Sequence, residues 1–231
     1  VRWFLSWASK RGYYTGNLHQ TFKPRLKGTD GNAREIIYLT IPEMDRLRAC
    51  QIPDNQKHLE QTRDVFLFCC YTSLRYSDVA ALKVEDVKEG YITVVTQKTS
   101  DGLKIELNRH AQAIIDKYHG KRFRGDRALP VISNQKMNDY LKELGRMAGI
   151  DAPTRIVYFR GEQRFDEYHP KWELLTTHCA RRTFVVTALQ LGIPVEVIIR
   201  WTGHSSYEAM KPYVAIVDDL KKKEMDKFNA L

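Results

Sequence analysis

Residues 177–194 read THCARRTFVVTALQLGIP, and this stretch predicts one helix that a cap at Thr177 starts and Gly192 ends. His178 and Arg181 lie three residues apart, so both side chains project from one face near the start of that helix. Free backbone N–H groups and the positive end of the helix dipole favour an anion there. An imidazole and a guanidinium at this place suit a phosphate, although H-x-x-R spacing alone also arises often by chance.

The residues that follow this helix supply two more candidates. A second helix is predicted to open at Pro194 and to end at Gly203. Because glycine readily takes a positive φ, Gly203 can turn the chain and direct His204 away from the helix, and the alternative is an ordinary cap followed by a surface histidine. Tyr213 comes directly after Pro212, which disfavours a helix interior, so this tyrosine is predicted at a kink or a helix end.

Two cationic candidates lie nearer the N-terminus. Arg75 stands between a predicted buried helix over residues 62–72 and a short helix that Ser77 is predicted to cap, so rigid elements flank it on both sides. The alternative for this arginine is a structural ion pair with Asp78. Lys98 follows a predicted strand and enters a turn, where the alternative is a solvated hairpin lysine.

The remaining pattern predicts a mainly α fold with small β-sheets, that is, an α+β protein. Helices are predicted over residues 1–11, after a capping box of Thr40 and Glu43, over residues 134–148 between an Asn134 cap and Gly149, and after a capping box of Ser205 and Glu208. Strands are predicted at Tyr91–Val95 and Leu103–Leu107 around an Asp101-Gly102 turn, and a further hairpin over residues 155–168 around Arg160-Gly161.

Composition narrows the functional classes. The 231 residues carry 37 Lys+Arg against 28 Asp+Glu, a net charge of +9 that favours a polyanionic partner such as nucleic acid. The four cysteines form no C-x-x-C pair and are predicted to be reduced core thiols, and the seven histidines lack zinc-site spacing, so no metal site is expected. No apolar run approaches the roughly 18 residues of a membrane helix, and no signal peptide is recognisable. We therefore expect a cytoplasmic protein that binds a polyanion such as nucleic acid and has no membrane partner.

Taken together, the candidates resemble the active-site set of the tyrosine recombinases, the phage-integrase family. The stretches that carry the resemblance are TSLRYSDVAALKVEDV (72–87), TQKTSDGLKIEL (96–107), THCARRTFVVTALQLGIP (177–194) and GHSSYEAMKPYV (203–214). The resemblance covers roughly residue 36 to the C-terminus and is closest to integrases of conjugative and integrative mobile elements. Type IB topoisomerases share the chemistry but resemble the chain less.

The family resemblance implies a tyrosine-recombinase catalytic domain over residues 28–231 that ends in a tail helix. It implies that residues 1–27 are the end of a core-binding domain and a linker, in a fragment whose upstream part is missing. The implied activity is site-specific DNA recombination for integration or excision of a mobile element, without metal, cofactor or ATP. The resemblance implies that Tyr213 is the nucleophile, which attacks the phosphorus to form a 3′-phosphotyrosyl link. It implies that His178 is the general base and that Lys98 protonates the 5′-oxygen. The residues implied to bind the phosphate are Arg75, Arg181 and His204, and Asp78 is implied to support these active-site residues.

The implied partners are double-stranded DNA and copies of the same chain in a four-subunit synapse, although the isolated domain is compatible with a monomer. The candidate phosphate-binding residues are Lys23, Arg25, Lys27, Lys121, Arg122 and Arg124, whose alternative is a solvated charged face. The tail, residues 218–231, is expected to dock on a neighbouring subunit or on its own domain. Two competing functions are a non-catalytic DNA-binding accessory protein on the same fold and a hydrolytic nuclease that uses the histidines.

Overall fold

The protein is described by a computed structural model over residues 1–22, 35–95, 102–160, 163–204 and 206–217. The chain divides into two units, one formed by Val1–Arg34 with Val157–Asp166 and the other by Glu35–Ile156 with Glu167–Leu231. Several sequence predictions fall outside the described residues: the Asp101 turn, Gly161, Ser205 of the second capping box, and the tail over residues 218–231. All described candidates for catalysis belong to the larger unit.

The smaller unit contains helices α1 (Arg2–Lys10) and α2 (Leu18–Thr21) and the distal part of a hairpin. The predicted N-terminal helix is confirmed, and the chain leaves it through Gly12 at a φ of 75°. In the hairpin, the rings of Tyr158 and Phe165 stack at 5.1 Å, and the Arg160 guanidinium lies over both. The hairpin strands are β4 (Pro153–Arg160) and β5 (Gln163–Pro170), so the predicted hairpin is confirmed and is longer than expected.

The larger unit is mainly helical. Its helices are α3 (Ile41–Ala49), α4 (Lys57–Thr72), α5 (Tyr76–Ala81), α6 (Arg109–Tyr118), α7 (Asn134–Met147), α8 (Thr177–Gln190), α9 (Val195–Thr202) and α10 (Lys211–Val214). Short 3-10 turns lie at Val84–Asp86, Lys171–Leu174, Tyr207–Ala209 and Ala215–Val217. Strands β1 (Val87–Lys88), β2 (Tyr91–Val95) and β3 (Gly102–Glu106) form an antiparallel sheet, in which Ile92 pairs with Ile105. The predicted α+β class is confirmed.

The core is built around α4, which packs against α6, α7 and α8. Phe66 and Phe68 of α4 are fully buried, as the apolar run in the sequence predicts. A second apolar cluster lies beneath the C-terminal helices, where Val185, Ile198 and Met210 are fully buried. This second cluster fixes the ends of α8, α9 and α10 relative to one another, which matters because the candidate site is built from residues at those helices.

Three helix caps differ from the sequence prediction. Arg75, not Ser77, is the N-cap of α5, because its backbone is extended (φ −73°, ψ 158°) and the Ser77 hydroxyl donates to Asp78 instead. Ser133, not Asn134, is the N-cap of α7, and Thr176, not Thr177, is the N-cap of α8. The predicted box of Thr40 and Glu43 is confirmed, with both reciprocal hydrogen bonds present.

The cysteines are free thiols, and Cys69, Cys70 and Cys179 are buried as predicted. Cys50 is only partly buried and packs against the edge of the core, so the prediction of a core thiol is wrong for this residue. Burial raises the pKa of the Cys69 and Cys70 thiols, which keeps them protonated and unreactive at neutral pH. In the described part of the chain, no helix is both long and apolar enough to cross a membrane.

Candidate active site

A buried guanidinium lies at the centre of the candidate site. Arg181, in the second turn of α8, is only 4% exposed. Its Nη1 donates to the Ser73 carbonyl at 3.1 Å, and its Nη2 donates to the Thr202 carbonyl. Those two carbonyls end α4 and α9, so one side chain joins the C-terminal ends of two helices. Helix C-terminal carbonyls lack partners within their own helices, which makes them suitable acceptors for a buried cation.

Both helix ends have a left-handed residue that places the carbonyl. Ser73 takes a φ of 63°, unusual for a residue other than glycine, and its hydroxyl donates to the Trp201 carbonyl at 3.2 Å. Gly203 takes a φ of 60°, and a Cβ built on it would lie 3.2 Å from Leu103 Cδ1. The positive φ that the sequence predicts for Gly203 is therefore present, and the neighbouring strand adds a second reason for glycine.

Replacing Gly203 with alanine is expected to destabilise the fold by more than the same change at Gly192. Both glycines have a positive φ, which costs an L-residue about 1–2 kcal/mol. Only Gly203 has a close neighbour, since nothing lies within 4 Å of a Cβ at Gly192. Urea unfolding of the two variants measures the difference. Equal losses would show that Leu103 moves aside without cost.

The charge on Arg181 has no carboxylate hydrogen-bonded to it within the described residues. Burial, and then the neighbouring Arg75, lower the pKa of Arg181 to about 10, while Tyr213 and Asp78 act in the opposite direction. The guanidinium therefore stays positive at neutral pH. A buried positive group that is only partly neutralised is complementary to an anion such as a phosphate.

Arg75 lies beside this guanidinium at the start of α5. Its Nη1 is buried and has no hydrogen-bond partner among the residues that the structure describes. The same atom lies 3.7 Å from Asp78 Oδ2, and Asp78 is itself 2% exposed. The ion pair with Asp78, which the sequence analysis gives as the alternative role of Arg75, is thus present. It still leaves the buried Nη1 of Arg75 without a hydrogen-bond acceptor among the described residues. An unsatisfied buried N–H is costly, which makes this atom a natural contact for a phosphate oxygen.

His204 lies against the Arg181 guanidinium. Its Nε2 lies 3.3 Å from Arg181 Nη2, and its Nδ1 lies 2.7 Å from Thr202 Oγ1. Gly203 turns the chain after α9 and so brings the imidazole back onto the guanidinium. The sequence leaves two alternatives for this histidine, a residue of the phosphate site or a surface residue after a helix cap. The structure places it against Arg181.

Tyr213 lies in the four-residue helix α10, directly after Pro212 in the first turn. Its ring packs partly buried against the second apolar cluster, and its phenol is close enough to raise the pKa of Arg181. The backbone N–H of Tyr213 donates to the carbonyl of Met210, whose side chain is fully buried. The one tyrosine singled out by sequence therefore lies within electrostatic range of the buried arginine.

His178 lies one turn before Arg181 on α8 and is exposed. The start of α8 is held by α7: the Thr177 N–H donates to Asn138 Oδ1 at 2.9 Å, and the Thr177 hydroxyl donates to Asn134 Oδ1 at 2.8 Å. These contacts explain why Thr177 and Asn134 do not cap their helices as predicted, because both side chains form a hydrogen bond between α7 and α8 instead. Sequence reasoning missed the role of both asparagines, since no local pattern links residues about forty positions apart.

Of the remaining candidates, four fall outside the described residues and three are exposed at the surface. Lys98, Lys23, Arg25 and Lys27 lie outside the described residues. Lys121, Arg122 and Arg124 are exposed in the segment that follows α6. The described ranges contain no group of three His, Cys, Asp or Glu side chains placed to hold a metal ion.

Comparison with known proteins supports the same fold. The model described as "Phage integrase family" matches residues 39–219. Tyrosine recombinase XerC of Treponema denticola is 24% identical over 174 residues, which are 72% of this chain and 56% of that protein, so the chain spans little more than half of this relative.

Solved structures extend the similarity of fold. The Tn1549 transposon integrase bound to transposon right end DNA matches with a TM-score of 0.63 at 17% identity, over 96% of this chain and 75% of that chain. The XerH recombinase in its post-cleavage complex matches with a TM-score of 0.61 at 14% identity, over 90% of this chain and 57% of that chain. The fold, the order of the motifs and the family match over most of the sequence lead to one conclusion: the chain belongs to the phage integrase family.

Proposed function

We propose that this chain is the catalytic domain of a site-specific DNA recombinase, which cleaves and rejoins DNA through a covalent 3′-phosphotyrosyl intermediate on Tyr213. The observation that carries the proposal is the buried Arg181 guanidinium, which contacts His204, lies beside Arg75 and is within electrostatic range of Tyr213. Cations converging on a phenol suit an attack on a phosphodiester better than any chemistry that needs a free acid or a thiol.

Phosphate binding falls to the cations. The transition state gathers negative charge on the non-bridging oxygens, and guanidinium groups can donate paired hydrogen bonds to them. Arg75 has a buried unused donor for this purpose, and Arg181 is held in place by two backbone carbonyls. A group fixed before the substrate arrives loses little entropy on binding, which favours the transition state.

The covalent step follows from this arrangement. The Tyr213 oxygen forms a bond to phosphorus, and the bond between phosphorus and the 5′-oxygen breaks. His178 takes the phenol proton, and Lys98 gives a proton to the departing 5′-oxygen. The phosphotyrosyl ester conserves the energy of the broken bond, so rejoining is the same step in reverse with a new 5′-hydroxyl. The roles of His178, Lys98 and the supporting Asp78 come from the family resemblance.

The partners we propose are duplex DNA and further copies of the chain in a four-subunit synapse. Among the structural relatives, lambda integrase is described as a dimer bound to a COC′ core site, and the Tn1549 integrase as bound to circular intermediate DNA. Integration or excision of a mobile element is the corresponding biological role. Residues 1–27 would be the end of a core-binding domain and linker, and the lysines and arginines of residues 23–27 and 121–124 would contact DNA phosphates.

The test is a library of duplexes that carry a nick beside the cleavage position and a randomised core, because the target sequence need not then be known. A recombinase traps itself on such substrates as an adduct that survives denaturation, and tryptic mass spectrometry should find the nucleotide on the peptide that contains Tyr213. EDTA should leave the yield unchanged. An accessory protein would bind without cleavage, and a nuclease would give free ends without an adduct, so either result contradicts the proposal.

A further inference from the structure

Thr202, the last residue of α9, contacts both of the basic groups around which the site is built. It is fully buried. Its carbonyl accepts from Arg181, and its hydroxyl oxygen lies 2.7 Å from His204 Nδ1. The same hydroxyl lies 2.8 Å from the Ile198 carbonyl and 3.3 Å from the Ile199 carbonyl. One residue therefore touches the guanidinium through its backbone and the imidazole through its side chain.

Counting protons decides which atom donates in each contact. A threonine hydroxyl has one hydrogen to donate and two lone pairs that accept. The Ile198 carbonyl can only accept, so the hydroxyl hydrogen of Thr202 points to that carbonyl. If it pointed to His204 instead, two oxygen lone pairs would face each other at 2.8 Å within a buried helix end. The hydroxyl oxygen is then left to accept, and His204 Nδ1 must carry a hydrogen.

The second ring nitrogen follows from the first. In a neutral imidazole, a hydrogen on Nδ1 leaves a lone pair on Nε2. That lone pair faces Arg181 Nη2 at 3.3 Å, which can only donate. Arg75, Asp78 and the Tyr213 phenol lie within electrostatic range of Arg181. The contacts of the ring with Thr202 and with Arg181 thus agree on the same tautomer.

We propose that Thr202 is a positioning residue whose hydroxyl holds His204 in its Nδ1–H tautomer, with Nε2 directed at Arg181 and at the place of the phosphate. Its consequence for DNA cleavage rests on the proposed function, whereas the tautomer is a property of the chain without DNA. Nε2 can then donate to a phosphate oxygen only after it gains a second proton, so the threonine determines what the histidine offers to the substrate.

Long-range ¹⁵N–¹H NMR of the chain labelled at histidine reads the tautomer directly, and His204→Gln identifies the signal. The parent chain should show His204 with its hydrogen on Nδ1. Thr202→Ser should keep this state, and Thr202→Val, which preserves the shape but lacks the hydroxyl, should lose the preference. A parent signal with the hydrogen on Nε2 overturns the proposal, and this measurement does not depend on the folding of any Thr202 variant. Retention of the Nδ1–H state in Thr202→Val overturns it as well.

Thr72 provides a matched control. It is also fully buried at the end of a helix, and its hydroxyl donates to the carbonyl four residues earlier, that of Phe68, at 2.8 Å. Thr72→Val should therefore resemble Thr202→Val in stability and leave the His204 tautomer unchanged. A change of tautomer in Thr72→Val would mean that the signal reports general loosening of the fold, which contradicts a specific role for Thr202.

Cleavage of the nicked duplex under single-turnover conditions measures the consequence for function. Thr202→Val should lower the rate about 10-fold with unchanged DNA binding, as is usual for partners that orient a reacting group, and Thr202→Ser should restore it. A rate equal to that of the parent would show that the tautomer does not matter for cleavage. If the parent chain forms no adduct at all, the proposed function is wrong. The NMR experiment still tests the tautomer of His204, because it is carried out without DNA.

Discussion

Replacing Tyr213 with phenylalanine should abolish the covalent protein–DNA adduct and leave DNA binding unchanged. The change removes one oxygen, and the ring that packs against the second apolar cluster stays in place. Loss of a nucleophile lowers the rate of covalent catalysis on the order of 10⁴-fold or more. A gel of the nicked duplex under denaturing conditions measures the adduct, and a mobility-shift assay with the same duplex measures binding.

Tyr207→Phe is the matched control for this experiment, because Tyr207 lies six positions earlier in the same segment and is 50% exposed. This variant should form the adduct at the rate of the parent. If Tyr213→Phe still forms adduct, or if Tyr207→Phe is the variant that loses it, the nucleophile has been assigned to the wrong residue. Loss of both binding and adduct in Tyr213→Phe would indicate a packing role instead.

The sequence predicts well those features whose causes are local. The box of Thr40 and Glu43 depends on two residues three positions apart, and the structure confirms it. Gly203 is equally local, since a glycine after a predicted helix takes the positive φ that ends it. The long apolar run of α4 predicts a buried helix because nothing in it could face water.

Features that depend on distant contacts are not visible in the sequence. Ser73 has a positive φ although a serine rarely adopts one, and only its hydrogen bonds to residues of α8 and α9 explain why. The sequence predicts that Asn134 caps α7, but Ser133 is the cap, and the Asn134 side-chain oxygen accepts a hydrogen bond from the Thr177 hydroxyl. The contact between Thr202 and His204 cannot be predicted from the sequence either. Many threonines in helices donate their hydroxyl to a backbone carbonyl, and nothing in the sequence shows which of them also contacts a histidine.

Substitutions of the buried Arg181 provide a second strong test of the candidate site. A lysine has one ammonium group on a flexible stem, so it cannot satisfy the carbonyls of Ser73 and Thr202 and still face a phosphate. Alanine leaves both buried carbonyls without this donor. We therefore expect Arg181→Ala and Arg181→Lys to lose cleavage by at least about 10²-fold, the usual effect of removing one donor to a developing oxyanion.

DNA binding should be retained in both variants, because affinity for DNA comes from many phosphate contacts rather than from one. Arg182→Ala is the control, since it removes the same charge from the next position of α8, where the side chain is only partly buried. It should cleave like the parent. Cleavage is measured in single turnover with the nicked duplex, and circular dichroism verifies that each variant folds. An equal loss of binding and cleavage in Arg181→Ala would reduce this arginine to a docking contact, and the cations would then no longer converge on the phosphorus.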